Sequence, residues 1–521
     1  MMAVLLCSCG FHGKEKNMPT LHVANGAEPP TLDPHLAIDL PGIFILRGLF
    51  EGLVVLDDIT LEPQAAMAKD WAVSADGLVY SFTLRDDGRW SNGKPLVAKD
   101  FVDALRRLLT RSIASPLVDL VFPVKNCRAY YEGKVPWEEV GIRAIDDLHL
   151  EIQLEKPTPY FLSLLTHPAW SPISAEDLRS HGAMERRDTP WTRPGNMVSN
   201  GPYRLKEWGV GDRIVLEKNS HHYRSDEISV ERIVFYPLSS KATAQNAFFN
   251  GEIDITASVS EEALDEFRKK YPASLSEVES LHSFYYVINC AHPPLNDSRV
   301  RRALALAIDR SILCRLLHFS EKFAAGNLVP DGVGGYYYGG PRLTYDPNEA
   351  RKLLAEAGYG KEFPHLTLTF NNSETQRLLA QAVQQMWKQE LGITITLRGE
   401  EWKSFLLTRR HGNYDIGRGG WVGDFNDPQT FLELFQKNAP NNHSRWSHEE
   451  YDRQMEKAME ATSPEERYRA LQRAESILLQ KAPIIPIYFD SNKHLISKRV
   501  RGWHPNLLDY HLYQNIQLCH P

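Results

Sequence analysis

The chain has 521 residues, with 59 lysines and arginines against 66 aspartates and glutamates, which gives a formal charge of -7. This acidic balance argues against a nucleic-acid-binding protein, because such proteins carry a clustered basic excess. Hydrophobic residues make up 42% of the chain, which argues against global disorder and for large packed cores. The sequence shows no apolar run of the roughly 18 residues that a membrane-spanning helix needs.

The N-terminus is similar to the lipid-attachment signal of a bacterial lipoprotein. In Leu6-Cys7-Ser8-Cys9, an apolar residue and two small residues precede the cysteine that would receive the lipid. We therefore expect residues 1–20 to form a signal and a tether, with the lipid on Cys9. The segment lacks a positive start and its apolar stretch is short, so a short apolar end with two chance cysteines is the alternative.

Strands and helices are predicted in alternation through the first part of the chain. Residues 21–24 have the composition of a short strand. Alternating apolar and polar side chains predict strands over residues 80–84 and 144–154, with an acidic turn inside the second segment. Apolar side chains at every third or fourth position predict a helix over residues 101–108.

The same alternation continues in the second half. The predicted elements are a helix over 241–249, a strand over 252–255, a helix over 298–317, a helix over 378–391, a strand over 393–397 and a helix over 464–481. Gly392 can end its helix in a left-handed conformation, and Ser463 begins a capping box. The pattern predicts an α/β protein without linkers, whose domains are discontinuous in sequence.

Motifs of known enzyme chemistry are missing from the sequence. It contains no nucleophile elbow, no phosphate-binding loop and no zinc-protease helix. The four cysteines beyond the N-terminus form no C-x-x-C pair, so neither a metal site nor a cofactor is predicted. These thiols are either free or joined in one long-range disulfide.

The residues between 401 and 428 combine side chains that suit a ligand cleft. Aromatic faces at Trp402 and Trp421 accept varied groups, and the glycines before Trp421 let a ligand backbone approach closely. Asp424 could pair with an ammonium and Arg418 with a carboxylate, as the two ends of a peptide require. The alternative is a strand and a solvated turn, in which Arg418 and Asp424 pair with each other.

This segment resembles the periplasmic oligopeptide-binding proteins of ABC transporters, the bacterial extracellular solute-binding proteins of family 5. The resemblance extends from about residue 21 to residue 518. The strings that carry it are Leu32-Asp33-Pro34-His35, Leu49-Phe50-Glu51-Gly52-Leu53, Trp90-Ser91-Asn92-Gly93, Asn200-Gly201-Pro202-Tyr203, Gly251-Glu252-Ile253-Asp254, Val300-Arg301-Arg302-Ala303-Leu304, Glu356-Ala357-Gly358-Tyr359, Glu401-Trp402-Lys403-Ser404-Phe405-Leu406 and the run from Tyr414 to Pro428.

The resemblance implies an α/β fold of the two-lobed periplasmic-binding-protein type, class II, with an extra inserted domain. Lobe I would comprise residues 21–50, 176–282 and 488–521. Domain II would be the insertion 51–175, and lobe III would comprise residues 283–487. The lobes of such proteins close over a ligand by a hinge.

The resemblance also assigns roles to side chains. Asp424 would pair with the peptide α-ammonium, and Arg418 would take a ligand carboxylate. Trp402 and Trp421 would line side-chain pockets.

Backbone groups complete the site that the resemblance implies. Gly420 and Val422 would bond an extended peptide as an added strand, and a segment around Leu40 would supply the strand on the opposite side. Val422 stands where some enteric members have a disulfide cysteine, so that disulfide is absent here.

The implied function is that of a substrate-binding protein for a peptide ABC importer, which performs no chemistry. Its partners would be short peptides and the permease and ATPase subunits of the inner membrane, with no nucleic acid. We expect a monomer in the periplasm, or one lipid-anchored to the cell envelope. The alternatives are a murein peptide receptor for cell-wall recycling, a peptidase-like enzyme, and an envelope adhesin or chaperone.

Overall fold

A computed structural model describes residues 18–359, 362–423, 425–461 and 463–519. The predicted lipid-attachment residue Cys9 and the predicted ammonium partner Asp424 both lie outside the described residues. In the described part of the chain, none of the helices has the length and apolar character that crossing a bilayer requires. The four described cysteines, Cys127, Cys290, Cys314 and Cys519, are free thiols.

The elements alternate along the chain as an α/β protein requires. The strands are β1 (Thr20–Ala24), β2 (Val54–Leu56), β3 (Pro63–Ala65), β4 (Ala68–Val73), β5 (Val79–Leu84), β6 (Ile142–Ala144), β7 (His149–Gln153), β8 (Tyr203–Gly209), β9 (Arg213–Lys218), β10 (Arg232–Tyr236), β11 (Leu275–Ile288), β12 (Leu366–Asn371), β13 (Ile395–Glu400), β14 (Ile416–Val422), β15 (Ile484–Leu495), β16 (Val500–Arg501) and β17 (Gln517–Leu518). The helices are α1 (Leu40–Leu49), α2 (Ala98–Leu108), α3 (Cys127–Tyr131), α4 (Phe161–Leu164), α5 (Ala175–Ser180), α6 (Lys241–Phe249), α7 (Leu264–Lys270), α8 (Ser298–Leu306), α9 (Arg310–Leu316), α10 (Pro347–Glu356), α11 (Glu374–Leu391), α12 (Trp402–His411), α13 (Gln429–Leu432), α14 (Glu449–Glu460) and α15 (Pro464–Lys481).

Three larger sheets organise these strands. The first has the order β1-β10-β9-β8, with β1 parallel to β10 and the other pairs antiparallel. The second, β4-β5-β7-β6, is antiparallel throughout. The third has the order β13-β12-β14-β11-β15 and mixes parallel and antiparallel pairs.

The buried side chains divide into two large hydrophobic cores. The first core joins the first two sheets and takes in the C-terminal segment, with Leu21, Phe82 and Tyr513 among its members. The second core surrounds the third sheet and includes Phe284 and Trp387. Because apolar burial supplies most of the stabilisation of folded chains, each core defines a body of its own.

Strands β11 and β15 run between these two bodies. They pair from Leu275 opposite Leu495 to Val287 opposite Ile484, with a register break after Glu279. The C-terminal half of β11 and the N-terminal half of β15 belong to the second core. At the other end of the pair, Ile496, which follows β15, forms a backbone bridge with Ile255. Ile255 forms a second bridge with Val23 of β1, in the first sheet.

Most predicted elements form, and two differ for physical reasons. Residues 252–255 do not form a strand; only Ile255 makes backbone bridges, to Val23 and Ile496. The helix predicted over 298–317 breaks into α8 and α9, because the side chain of Asp309 accepts hydrogen bonds from the backbone N–H groups of Ser311 and Ile312 and so begins a new helix.

Candidate functional site

The strand that carries most of the predicted site residues has one open edge. β14 pairs with β11 along its whole length. On its other side, and as far as the structure describes the chain, β12 pairs with it only at Ile416 and Gly417. Residues 418–422 therefore have an edge that no described strand covers.

The register decides which backbone groups face this open edge. The N–H of Gly423 donates to the carbonyl of Leu281 at 2.8 Å. In an antiparallel ladder, successive residues direct their backbone groups alternately toward and away from the partner strand. Gly420 and Val422 therefore direct their N–H and C=O groups away from β11, into the open edge, where an extended peptide could add as a strand.

Arg418 lies half-buried on this strand and has no acidic partner in the part of the chain that the structure describes. Its guanidinium lies 5.6 Å from the ring centroid of Phe284 and 5.9 Å from that of Trp402. Among the described residues it forms no hydrogen bond or ion pair, and its buried Nε has no partner. Burial lowers the pKa of Arg418, and the charge of Arg409 contributes to the shift.

Arg409 is a second cation of this kind, and sequence reasoning missed it. It lies near the end of α12, with its guanidinium 5.7 Å from the ring centroid of Phe405 and its buried Nε unpaired within the described residues. Burial lowers its pKa, and burial together with Arg409 lowers the pKa of His443 to about 4. Basic residues at a helix C-terminus ordinarily complement the helix dipole, so Arg409 could not be recognised from the sequence as part of a ligand site.

The two tryptophans occupy different environments. Trp402 is 46% exposed at the start of α12, where its ring is open to a ligand. Trp421 is half-buried against the second core, and its Nε1 donates to Oγ1 of Thr430 at 3.2 Å. Val422, next to Trp421, is 61% exposed.

The glycines of β14 serve the packing of aromatic rings. A Cβ on Gly419 would lie 2.6 Å from the ring of Tyr285, and one on Gly417 would lie 3.2 Å from the ring of Tyr414. The packing of Tyr285 is therefore a reason of its own for a glycine at position 419. At Gly420 the nearest atoms to a Cβ would be Nε2 of His282 and the carbonyl oxygen of Ser283, both at 3.3 Å.

The segment around Leu40 is helical, so the expected strand is wrong there. Asp39 accepts a hydrogen bond from the backbone N–H of Gly42 at 2.8 Å and caps α1. Pro41 in the first turn favours the helix because its φ is already fixed. Leu40 itself, the first residue of α1, is 62% exposed.

Comparisons with known proteins agree with this architecture. A family model of the bacterial extracellular solute-binding proteins, family 5 (middle region), matches residues 62–443. The periplasmic oligopeptide-binding protein OppA of Escherichia coli K12 is 35% identical over 498 residues, which cover 93% of this chain and 89% of that protein.

Two solved structures extend the comparison to three dimensions. The unliganded open form of MppA, a periplasmic murein tripeptide binding protein, has a TM-score of 0.88 at 32% identity and covers 96% of this chain and 97% of its own. Another structure of MppA, from Escherichia coli, has a TM-score of 0.74 at 32% identity and covers 96% of this chain and 98% of its own.

Proposed function

This chain belongs to the bacterial extracellular solute-binding proteins of family 5, and we propose that it is the substrate-binding protein of a peptide ABC importer. It captures a short peptide and delivers it to a membrane permease without changing it chemically. The observation that carries this proposal is the open edge of β14, where the backbone groups of Gly420 and Val422 are free to pair with an extended chain.

Main-chain pairing at this edge explains how one site could accept peptides of many sequences. Hydrogen bonds to a peptide backbone do not depend on its side chains, so affinity comes from the added strand and selectivity from the pockets beside it. Asp424 takes the α-ammonium, Arg418 takes a carboxylate, and the exposed ring of Trp402 lies against a ligand side chain. Neither end of the peptide is then left with an unpaired charge.

We also propose the domain layout predicted from the sequence. Lobe I and the inserted domain II share the first core, and lobe III contains the second. The boundaries at residues 282/283 and 487/488 both fall within β11 and β15, close to the register break of that pair. We take this strand pair as the hinge.

The cellular setting is part of the same proposal. The relatives named above are periplasmic proteins. We propose that this chain works there as a monomer, held to the envelope by a lipid on Cys9, beside permease and ATPase subunits. Metabolic labelling with a fatty acid should mark the protein, and a Cys9→Ala variant should stay unlabelled.

The central test is calorimetry with short peptides on the purified protein. We expect binding of peptides with a free amino terminus, and a loss of about 2–5 kcal/mol in Asp424→Asn, because an enclosed ammonium would be left unpaired. Asp226→Asn, at an exposed position elsewhere on the molecule, is the matched control. A protein that is isolated empty and stays empty with a peptide pool would exclude the peptide-receptor function.

A murein peptide receptor is the second candidate, favoured by one observation. Arg409 and Arg418 are both half-buried, each with a buried Nε that has no partner, and neither has an acidic partner among the described residues. Buried charges are costly unless they are paired, so a ligand with more than one carboxylate would complete this pair of cations. Cell-wall peptides that contain diaminopimelate have such extra carboxylates.

This candidate is tested by comparing two ligands on three variants. We expect Arg409→Met and Arg418→Met to bind a diaminopimelate-containing tripeptide at least about tenfold more weakly than wild type. Trialanine should be less affected by Arg409→Met, and Arg410→Met, which changes the exposed neighbour, is the control. Equal binding of both ligands by wild type and Arg409→Met would leave the ordinary peptide receptor as the function.

A further inference from the structure

One histidine lies next to the open edge without a role in the site described so far. His282 of β11 is the register partner of Val422 on β14. Its Nδ1 lies 3.3 Å from Oδ2 of Asp490 on β15. Its Nε2 lies on the other side of the ring, 3.3 Å from the point where a Cβ of Gly420 would be. The imidazole therefore extends from β15 across β11 toward β14.

Asp490 fixes which ring nitrogen carries the proton. Burial opposes its ionisation, but the hydrogen bond with His282 and the charge of Lys493 lower the pKa of Asp490 to about 2. An ionised carboxylate can only accept, so Nδ1 of His282 donates. In the neutral ring, Nε2 then has a free lone pair; in the protonated ring it carries a second N–H donor.

The absence of a side chain at Gly420 leaves Nε2 open toward the ligand edge. The His282 side chain is 23% exposed, and within the described residues Nε2 has no hydrogen-bond partner. Since the backbone groups of Gly420 face the same edge, a peptide paired there would place a side chain near the imidazole.

The charges around this position favour an anion. Asp490 is matched by the ammonium of Lys493, 3.4 Å away on β15. Arg418 follows on the same face of β14, two positions from Gly420, since alternate residues of a strand share a face. Glu279, on the strand of His282 itself, lies beyond the register break in β11. Among the residues that the structure describes, the charges that remain at this position are those of His282, when protonated, and Arg418.

We propose that His282, positioned by Asp490, forms a subsite over Gly420 for a carboxylate-bearing side chain of the bound peptide. The carboxylate accepts a hydrogen bond from Nε2–H of the protonated ring. The inference rests on the proposed peptide-binding function and adds a side-chain preference to it. His282 contacts the ligand, whereas Asp490 acts through the ring as a positioning residue.

The test is calorimetry with tripeptides in which Glu or Gln replaces Ala at each position of trialanine in turn. At one position, wild type should bind the Glu peptide about tenfold more tightly than the Gln peptide, the range expected of a charge-assisted hydrogen bond.

Variants separate the subsite from the rest of the cleft. His282→Gln should abolish the Glu preference while binding trialanine within about twofold of wild type. His221→Gln, at an exposed histidine, should behave as wild type. Asp490→Asn keeps the imidazole but removes the anion that holds its Nδ1–H, so it should reduce the Glu preference without weakening trialanine binding, even if His282→Gln fails to fold.

The outcomes distinguish the subsite from the receptor function. If wild type binds the tripeptides but the Glu preference is absent, or persists unchanged in both His282→Gln and Asp490→Asn, the subsite is wrong and the peptide receptor stands. If wild type binds none of the tripeptides, the proposed function itself fails.

Discussion

At the scale of single residues, Gly419 shows that the residues of β14 are also constrained by the aromatic ring of Tyr285, which packs against them. A Cβ there would lie 2.6 Å from the Tyr285 ring, so Gly419→Ala must displace a buried aromatic side chain of the second core. We expect a loss of about 1–3 kcal/mol in the free energy of unfolding, measured by urea denaturation. Gly339→Ala is the matched control, because its Cβ would meet no atom within 4 Å. Equal losses in the two variants would mean that Tyr285 can move aside freely.

The site residues divide into those that the sequence could reveal and those that it could not. Trp402, Arg418 and Trp421 drew attention because they cluster with glycines and acids in one short segment. Arg409 could not be distinguished from the basic residues that are common in the last turn of a helix. His282 becomes a candidate site residue only once the register of β11 against β14 and β15 is known. Local sequence does not determine which distant segments pair, so this register could not be predicted.

At the scale of elements, α15 holds a loop through one buried carboxylate. Glu475 accepts hydrogen bonds from the backbone N–H groups of Leu328 and Val329 and from the hydroxyl of Tyr336. Burial nevertheless dominates and raises the pKa of Glu475 to about 7. The folded state therefore binds this proton more tightly than the unfolded chain does.

The sign of the resulting pH dependence follows from linkage. The contribution of Glu475 to stability is fully present below pH 4.5, where the carboxyl is protonated in both states, and is lost as the pH rises toward 7. We expect Glu475→Gln to remove a decline of up to about 3 kcal/mol over this range, measured by urea unfolding at both ends. The exposed Glu456→Gln should retain the wild-type decline. A decline of the same size in Glu475→Gln would assign it to other groups.

Elements with strong local signals were predictable, and those decided by contacts were not. α2 and α15 form where apolar spacing predicted them, and Ser463 caps α15 by accepting from the N–H of Glu466. Residue 255 pairs with two separate segments as an isolated bridge, which no local pattern specifies. The helical start at Leu40 could have been predicted from the cap at Asp39, but the family resemblance suggested an extended segment.

At the scale of the whole molecule, the conformation is that of a receptor ready to bind. The structure agrees better with the unliganded open form of MppA than with the other structure of that protein. Leu40 and Val422, both placed at the site by sequence, are mostly exposed. Closure around a peptide would bury such side chains and supply part of the binding free energy.

Closure is measurable in solution. Small-angle X-ray scattering should show a smaller radius of gyration when a saturating peptide is added, because the two bodies approach each other. The same peptide with a blocked amino terminus, at a concentration where it does not bind, is the control. A radius of gyration that stays constant while calorimetry shows saturation would mean that this protein binds without closing.

The pairing of β11 with β15 also determines which part of the chain could be exchanged or expressed separately. Since Val287 lies opposite Ile484, everything between these residues leaves the rest of the chain and returns to it at a single place. The second body is thus an insertion in the chain of the first body, and the two ends of the insertion lie side by side. A segment of this kind can be exchanged for a relative's, or joined end to end and expressed separately, without rerouting the chain that remains.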